Sequence, residues 1–249
     1  MKVQWDYTNL ADSYLKRPNY SSIAFNKFIS ITQTSSDMSC CDIGAGAAHL
    51  TKLLLEFGLS VTAVEPNYAM RKNGINKTKH FSNVRWMAGT GEATGQEANE
   101  FDIVTFGSSF NVCDRRQTLI EASRILKENG WFMCLWNHRD LSNPIQAEIE
   151  RIIKKAVPEY GYGSRREDQA TVIRDSGLFS NIEKFDGGIE HTQTVAECVE
   201  AWRSHATLAR QAGARFEFVV DAIENYLQGL DIDTMQIPYI TNVWLAQLK

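Results

Sequence analysis

Apolar residues recur along this chain in two alternating rhythms. Short continuous apolar runs at 38–43, 59–65, 83–89, 101–107 and 131–136 predict buried strands, because a strand covered on both faces carries apolar residues at successive positions. Between them, 47–57, a stretch from about 67, and 114–128 show helical spacing, the first ended by Gly58 and the last by "ENG". Strands alternating with helices predict a parallel sheet with helices on both faces. Upstream, Tyr7, Leu10, Ala11, Tyr14 and Leu15 share one face of a helix over 5–16, which Pro18 breaks, and a second short helix covers about 21–33. After Trp136 the rhythm changes. Residues 137–168 read as a long insertion, helix then loop; 175–187 as a helix end, a turn and a strand; 195–228 as helix interrupted near Gly213. The alternation of apolar and polar residues over 235–249 predicts a final antiparallel strand.

Composition narrows the class without naming a chemistry. With 249 residues, 43% hydrophobic and 22% charged, the chain is long enough for one large α/β domain with additions. The net charge is −4 and no Lys/Arg block stands out, so a phosphate-tracking nucleic-acid surface is not expected. Five cysteines, an odd number without CxxC spacing, argue against both a disulfide framework and a zinc site. No His, Cys or carboxylate spacing suggests another metal. The N-terminus lacks an apolar signal-peptide core, and no stretch approaches the roughly 18 apolar residues of a membrane span, so the expected setting is the cytoplasm, without a membrane partner.

The stretch "CCDIGAGAAHLTKLLLEFGLSVTAVEP", 40–66, carries the first chemical signal. A strand that turns sharply into a helix aims the helix's first N–H groups at a ligand, and Gly44 and Gly46 permit the tight turn. Glu65, 19 residues after Gly46, ends the next strand, where a carboxylate can accept both ribose hydroxyls of an adenosine. The nicotinamide fingerprint G-x-G-x-x-G/A needs a small third residue, where this chain has His49. Asp42 and Glu65 also have a plainer reading, as strand-end residues that cap helices.

Four ordered segments add to the turn: "DIGAGAAHLT", "VEPNYAM", "GTGEATG" and "FDIVTFGSSFN". Together they make residues 1 to about 140 resemble the class I S-adenosylmethionine-dependent methyltransferases of small molecules. The resemblance implies a Rossmann-like, doubly wound α/β fold with a seven-stranded, mostly parallel sheet and an antiparallel last strand. It implies S-adenosyl-L-methionine as cofactor, with Asp42, Gly44, Ala45 and Gly46 along the methionine moiety and Glu65 on the ribose. Pro66 and Met70 would pack near adenine or ribose, Gly91, Glu92 and Ala93 would meet the adenine edge, and Ser108 and Ser109 would border cofactor and substrate. An N-terminal helix would fold over the cofactor as a lid, bringing Tyr14 and Arg17 near the methionine carboxylate. One departure is that Ala47 and Ala48 stand at the helix start, where the family often has Gly.

Methyl transfer needs alignment of nucleophile, methyl carbon and sulfur, and a base if the acceptor must lose a proton. His138, in "WNHRD" at the carboxyl end of the fifth strand, and His205, sharing a helix face with Trp202, are the candidates for that base. Each is equally readable as a structural histidine. Asn137 and Arg139 beside His138, Tyr7 and Tyr20 near the lid, Asn111 after the fourth strand, and Trp202 are candidate substrate contacts. The loop "EYGYGSRRED" adds Tyr160, Tyr162 and Arg165, which can clasp an anionic substrate or form a solvated loop. The expected organisation is one domain over 1–249, with a helical lid at 1–33, a cofactor-binding core at 38–137 and substrate-cap insertions at 138–230. The expected function is methyl transfer from S-adenosylmethionine to a small O- or N-linked acceptor in secondary or sugar metabolism. Rival readings are a non-catalytic cofactor-binding sensor or partner module and, disfavoured by His49, a nicotinamide-dependent oxidoreductase. A homodimer formed through the cap is compatible with the sequence, and no feature requires it.

Overall fold

The structure, a computed structural model, describes Thr8 and residues 11–249. Seven strands form one sheet: β1 (Ser39–Ile43), β2 (Ser60–Val64), β3 (Val84–Met87), β4 (Phe101–Gly107), β5 (Leu126–Arg139), β6 (Phe179–Thr194) and β7 (Thr234–Leu248), in the order β3-β2-β1-β4-β5-β7-β6. The first five are parallel, and β7 runs antiparallel to both of its neighbours. This is the doubly wound, mostly parallel sheet with an antiparallel last strand that the alternation predicts. From β1 the chain steps outward to β2 and β3, then returns to place β4 and β5 on the other side. Connections on the two sides of β1 diverge, so a crevice opens beyond the carboxyl ends of β1 and β4.

Adjacent strand residues face opposite sides of a sheet, and Cys40 and Cys41 accordingly enter different cores. On one face Val104, Phe106, Phe132 and Cys134 pack on Leu119 and Ile125 of α5 (Arg115–Ile125) and Ile173 of α7 (Gln169–Asp175). On the other, Cys40, Ile103, Met133 and Leu135 pack on Phe25 and Phe28 of α2 (Ser22–Thr32) and Leu50 and Leu54 of α3 (His49–Phe57). The helices begin where local chemistry satisfies their first N–H groups. Ser21 caps α2, Asn67 caps α4 (Tyr68–Thr78), and Asp114 caps α5, each side chain accepting a backbone N–H.

A third cluster is built from α6 (Pro144–Ala156), α8 (Val195–Arg203), α9 (Ala206–Ala212) and α10 (Phe216–Gln228). Ile149, Ile153, Trp202, Leu208, Val219 and Ile223 form its centre, closed by Met235, Ile237 and Tyr239 of β7. One strand thus supports these helices with its first residues and completes the sheet with its last.

Several boundaries differ from those read along the chain. Of the expected helix over 5–16, the described part is a single turn, α1 (Ala11–Tyr14), and Tyr7 lies outside the described residues. The helix over 114–128 ends at Ile125. β5 continues three residues past Trp136, because β7 offers backbone partners as far as Arg139↔Tyr239. β6 runs to Thr194 for the same reason, paired with β7 through Thr194↔Thr234. The stretch 138–230 therefore includes a full sheet strand as well as helices. The helix over 195–228 breaks at Ser204–His205 as well as at Gly213, where His205 caps α9.

Candidate active site

The glycine turn is held from below and beside. Gly44 and Gly46 have φ of 67° and 54°, the left-handed region that favours glycine. A Cβ at Gly44 would stand 2.4 Å from Ser109 Cβ, so the turn needs glycine for space as well. Ala48 also has positive φ, at 64°, which delays the start of α3 to His49. Glu65 is buried and reaches back across the turn: Gly46 N–H donates to Oε2 at 2.9 Å and Asn67 N–H to Oε1 at 2.8 Å. Burial nevertheless holds its pKa above the usual carboxylate value, the two backbone donors only partly opposing it. Asp42 accepts the Thr51 hydroxyl at 2.6 Å and the Thr105 hydroxyl at 2.9 Å. Its pKa is pushed up to about 6, chiefly by burial.

A cavity of about 350 Å³ extends from this turn. Asp42, Gly44, Ala45, Gly46, Glu65, Pro66, Met70, Gly91, Glu92, Ser108 and Ser109 line it, as do Tyr14, Arg17 and Tyr20. The Tyr20 hydroxyl meets Ser108 Oγ at 3.0 Å, and Ser109 Oγ donates to the Ile43 carbonyl at 2.6 Å. Arg17 stacks on the Tyr14 ring, 3.7 Å from its centroid. The opposite wall carries Asn137, His138, Arg139, Tyr162, Arg165 and His205. Asn137 donates to the Asn19 carbonyl at 2.9 Å and accepts from Thr241 Oγ1 at 2.5 Å, tying the N-terminal segment to β5 and β7.

Four expected site residues do not reach the cavity. Ala93 is exposed beside it. Asn111 accepts from the Trp136 indole at 2.8 Å and lies behind the wall. Tyr160 is buried under the Tyr162 ring, 5.3 Å away. Trp202 is buried beneath Arg139 and His205, whose ring it meets at 5.1 Å. In exchange the cavity takes in residues not singled out from the chain, among them Asn67, Cys113, Gln193, Glu200, Ser204 and Tyr239. The i,i+4 spacing of Glu200 and Ser204 on a helix was a usable signal. Gln193 and Tyr239 had none, because the long pairing of β6 with β7 brings them in.

All three histidines of the cavity are held neutral. His138 is pushed down to about 3 by burial and then by Arg165 and Arg166. His49 is pushed down to about 3 by burial, Lys77 and Arg17. His205 lies well below its usual value through burial and then Arg139, Arg165 and Arg17. In His138 and His205 the accepting nitrogen is also spoken for, whereas His49 Nε2 is buried without a hydrogen-bond partner. His138 Nε2 lies 3.1 Å from the Arg165 carbonyl and Nδ1 lies 3.2 Å from Asn242 Nδ2, so the proton belongs on Nε2 and Nδ1 accepts. His205 Nδ1 accepts the Leu208 N–H at 3.1 Å, which likewise puts the proton on Nε2.

Residues 41–134 match the family model described as a methyltransferase domain. An uncharacterised methyltransferase of Schizosaccharomyces pombe is 29% identical over 59% of this chain and 58% of its own length. A demethylmenaquinone methyltransferase of Staphylococcus saprophyticus is 30% identical over 58% of this chain and 63% of its own. In both cases the chain spans less than two thirds of the relative. Among solved structures, a protein assigned as a type II methyltransferase from Anaeromyxobacter dehalogenans shares the fold with a TM-score of 0.68, covering 93% of this chain and 97% of that one at 16% identity. Phosphoethanolamine N-methyltransferase 2 of Haemonchus contortus, solved with S-adenosyl-L-methionine, has a TM-score of 0.54 at 17% identity, over 99% of this chain and 58% of that one. Residues 41–134, which hold the glycine turn with Glu65 behind it, are thus similar to a methyltransferase domain, and the sheet as a whole has the fold of these solved structures.

Proposed function

We propose that the protein transfers a methyl group from S-adenosylmethionine to a small molecule. The observation that supports this most directly is continuity: the crevice beyond β1 and β4 and the chamber beside α8 and α9 are one cavity, large enough for a small ligand. The donor set at the turn suits an adenosine. Each Glu65 oxygen accepts one backbone N–H and retains a lone-pair site for a ribose hydroxyl. Met70 and Pro66 offer apolar surface beside it, and Gly91 and Glu92 border the same end. Arg17, beside Tyr14, is assigned to the methionine carboxylate.

Bound there, S-adenosylmethionine supplies a sulfonium-activated methyl group. The chain's own part is alignment and exclusion of water. Tyr14, Arg17 and Tyr20 close one side, joined to β5 and β7 through Asn137. Orientation of two reactants in this way is by itself a large source of rate. We assign His138 and His205 to positioning, since the nitrogen that can accept a proton in each is already hydrogen-bonded to the protein. The five cysteines are free thiols, four of them buried, which suits a reducing compartment such as the cytoplasm. Among the described residues, no helix is long and apolar enough to cross a membrane.

Calorimetric titration of the purified protein with S-adenosylmethionine, S-adenosylhomocysteine and NAD tests the reading. Micromolar binding of the first two and none of NAD is expected. Binding of NAD alone, or of none of the three, overturns it.

A further inference from the structure

The far wall of the cavity holds two arginines that no carboxylate among the described residues pairs with. Arg139 ends β5 with its guanidinium 4.1 Å from the Trp202 ring centroid and 5.7 Å from that of Tyr239. Its Nε is buried without a hydrogen-bond partner. Arg165 follows on the loop after α6 and lines the same cavity. No carboxylate among the described residues pairs with either one. The acidic groups nearby are already engaged: Glu200 with Lys16 at 2.7 Å, and Glu150 with Lys154 at 3.2 Å and the Tyr162 hydroxyl at 2.5 Å. Both arginines are close enough to bear on His205. Burying a guanidinium without an anion is costly, and a cation that faces a cavity is satisfied when the cavity fills.

We propose that Arg139 and Arg165 form an oxyanion-binding subsite in the acceptor half of the cavity, so that the methyl acceptor carries a carboxylate or phosphate group. The inference rests on the methyltransferase reading for the word acceptor, and on the arginines alone for the subsite. The cofactor's own carboxylate does not account for Arg139, although Arg165 stands within range of Arg17 and Tyr14. Arg17 stands with Tyr14 and bears on His49 at the glycine-turn end, whereas Arg139 has Trp202, Tyr239, Cys198 and Tyr162 around it, all on the opposite wall. A planar guanidinium stacked on an aromatic ring presents its edge N–H groups as a fork, which matches two oxygens of one anion. Burial and the charge of Arg17 also press Arg165 toward its neutral form, a strain that a bound anion relieves. An anionic acceptor agrees with a wall whose two imidazoles, His138 and His205, have their accepting nitrogens already committed.

The test titrates citrate, and separately inorganic phosphate, into the full chain with and without saturating S-adenosylhomocysteine. The proteins compared are the wild type, R139Q, R165Q and R139K. At least one anion should bind the wild type, and each Gln variant should weaken it on the order of tenfold or more, with S-adenosylhomocysteine affinity held within about threefold. R139K, which keeps the charge and loses the fork, should fall between. Stronger citrate binding assigns a carboxylate and stronger phosphate binding a phosphate; both uphold the subsite. Failure of both anions at millimolar concentration, or anion binding indifferent to the Gln substitutions, overturns it. If R139Q also loses S-adenosylhomocysteine, R139K and R165Q carry the comparison. If the wild type binds an anion through these arginines but not S-adenosylhomocysteine, the subsite stands and the methyltransferase reading falls.

Discussion

Asp42 offers a measurement in which stability and function should part. The residue is 1% exposed, and its carboxylate is held by two threonine hydroxyls, Thr51 and Thr105. Desolvation outweighs both bonds, and the nearby charge of Glu65 adds to it, so the pKa rises from 3.8 to about 6. Each unit of pKa is worth about 1.4 kcal/mol, so keeping Asp42 ionised costs the folded state about 3 kcal/mol. The folded carboxyl binds its proton more tightly than the unfolded one. The associated stability is therefore fully present below about pH 4, declines as pH rises toward 6, and is gone above it. Asp42→Asn removes the titration while preserving shape, with the amide accepting from one threonine hydroxyl and donating to the other. The D42N protein should match the wild type in unfolding free energy near pH 4 and exceed it by up to about 3 kcal/mol at pH 7.5. Urea unfolding followed by tryptophan fluorescence at pH 4, 5, 6 and 7.5 reads the difference directly. A difference constant with pH, or a D42N protein less stable at neutral pH, refutes the reasoning. If Asp42 serves the proposed cofactor site, the stabilised variant should bind S-adenosylhomocysteine more weakly.

Three further outcomes follow from the same geometry. Glu65→Ala removes the acceptor of two backbone N–H groups and, on the proposed assignment, of the ribose hydroxyls; the dissociation constant for S-adenosylhomocysteine should then rise on the order of 100-fold, and an unchanged value by calorimetry removes the ribose assignment. Gly44→Ala forces a Cβ to within 2.4 Å of Ser109 Cβ at a φ of +67°, and should lower unfolding free energy by about 2–4 kcal/mol; an unmoved urea midpoint means that the turn re-forms at no cost. His138→Gln should raise KM for the acceptor, since His138 anchors the Arg165 carbonyl, and leave the pH dependence of kcat between 6 and 9 unaltered. Loss of an inflection in that range would restore His138 as a proton acceptor.

The amino-acid sequence by itself determined the glycine-turn half of the candidate site. A strand, a glycine turn, a helix and a second strand ending in Glu65 are neighbours along the chain, and right-handed parallel crossovers leave little freedom in how they meet. Gly44, Gly46, Glu65 and Met70 reach the cavity for that local reason. The capping residues Asn67 and Asp114 are legible on the same terms, as short-range hydrogen bonding at helix starts. The acceptor wall is different. Whether Trp202 faces the cavity or supports Arg139 from behind depends on how α8 packs on β7. Asn111 could not be seen to spend its amide on Trp136 until both were in place. Tyr239 and Gln193 enter because β7 pairs antiparallel with β6 over its whole length and with β5 from Tyr239 to Gln247, and Arg139 is extended strand for that reason too. Such a register joins residues a hundred positions apart and is decided by the sum of burial on both faces. The tertiary structure alone could make that choice, and with it came the placement of Arg139 and Arg165 on one wall of the cavity.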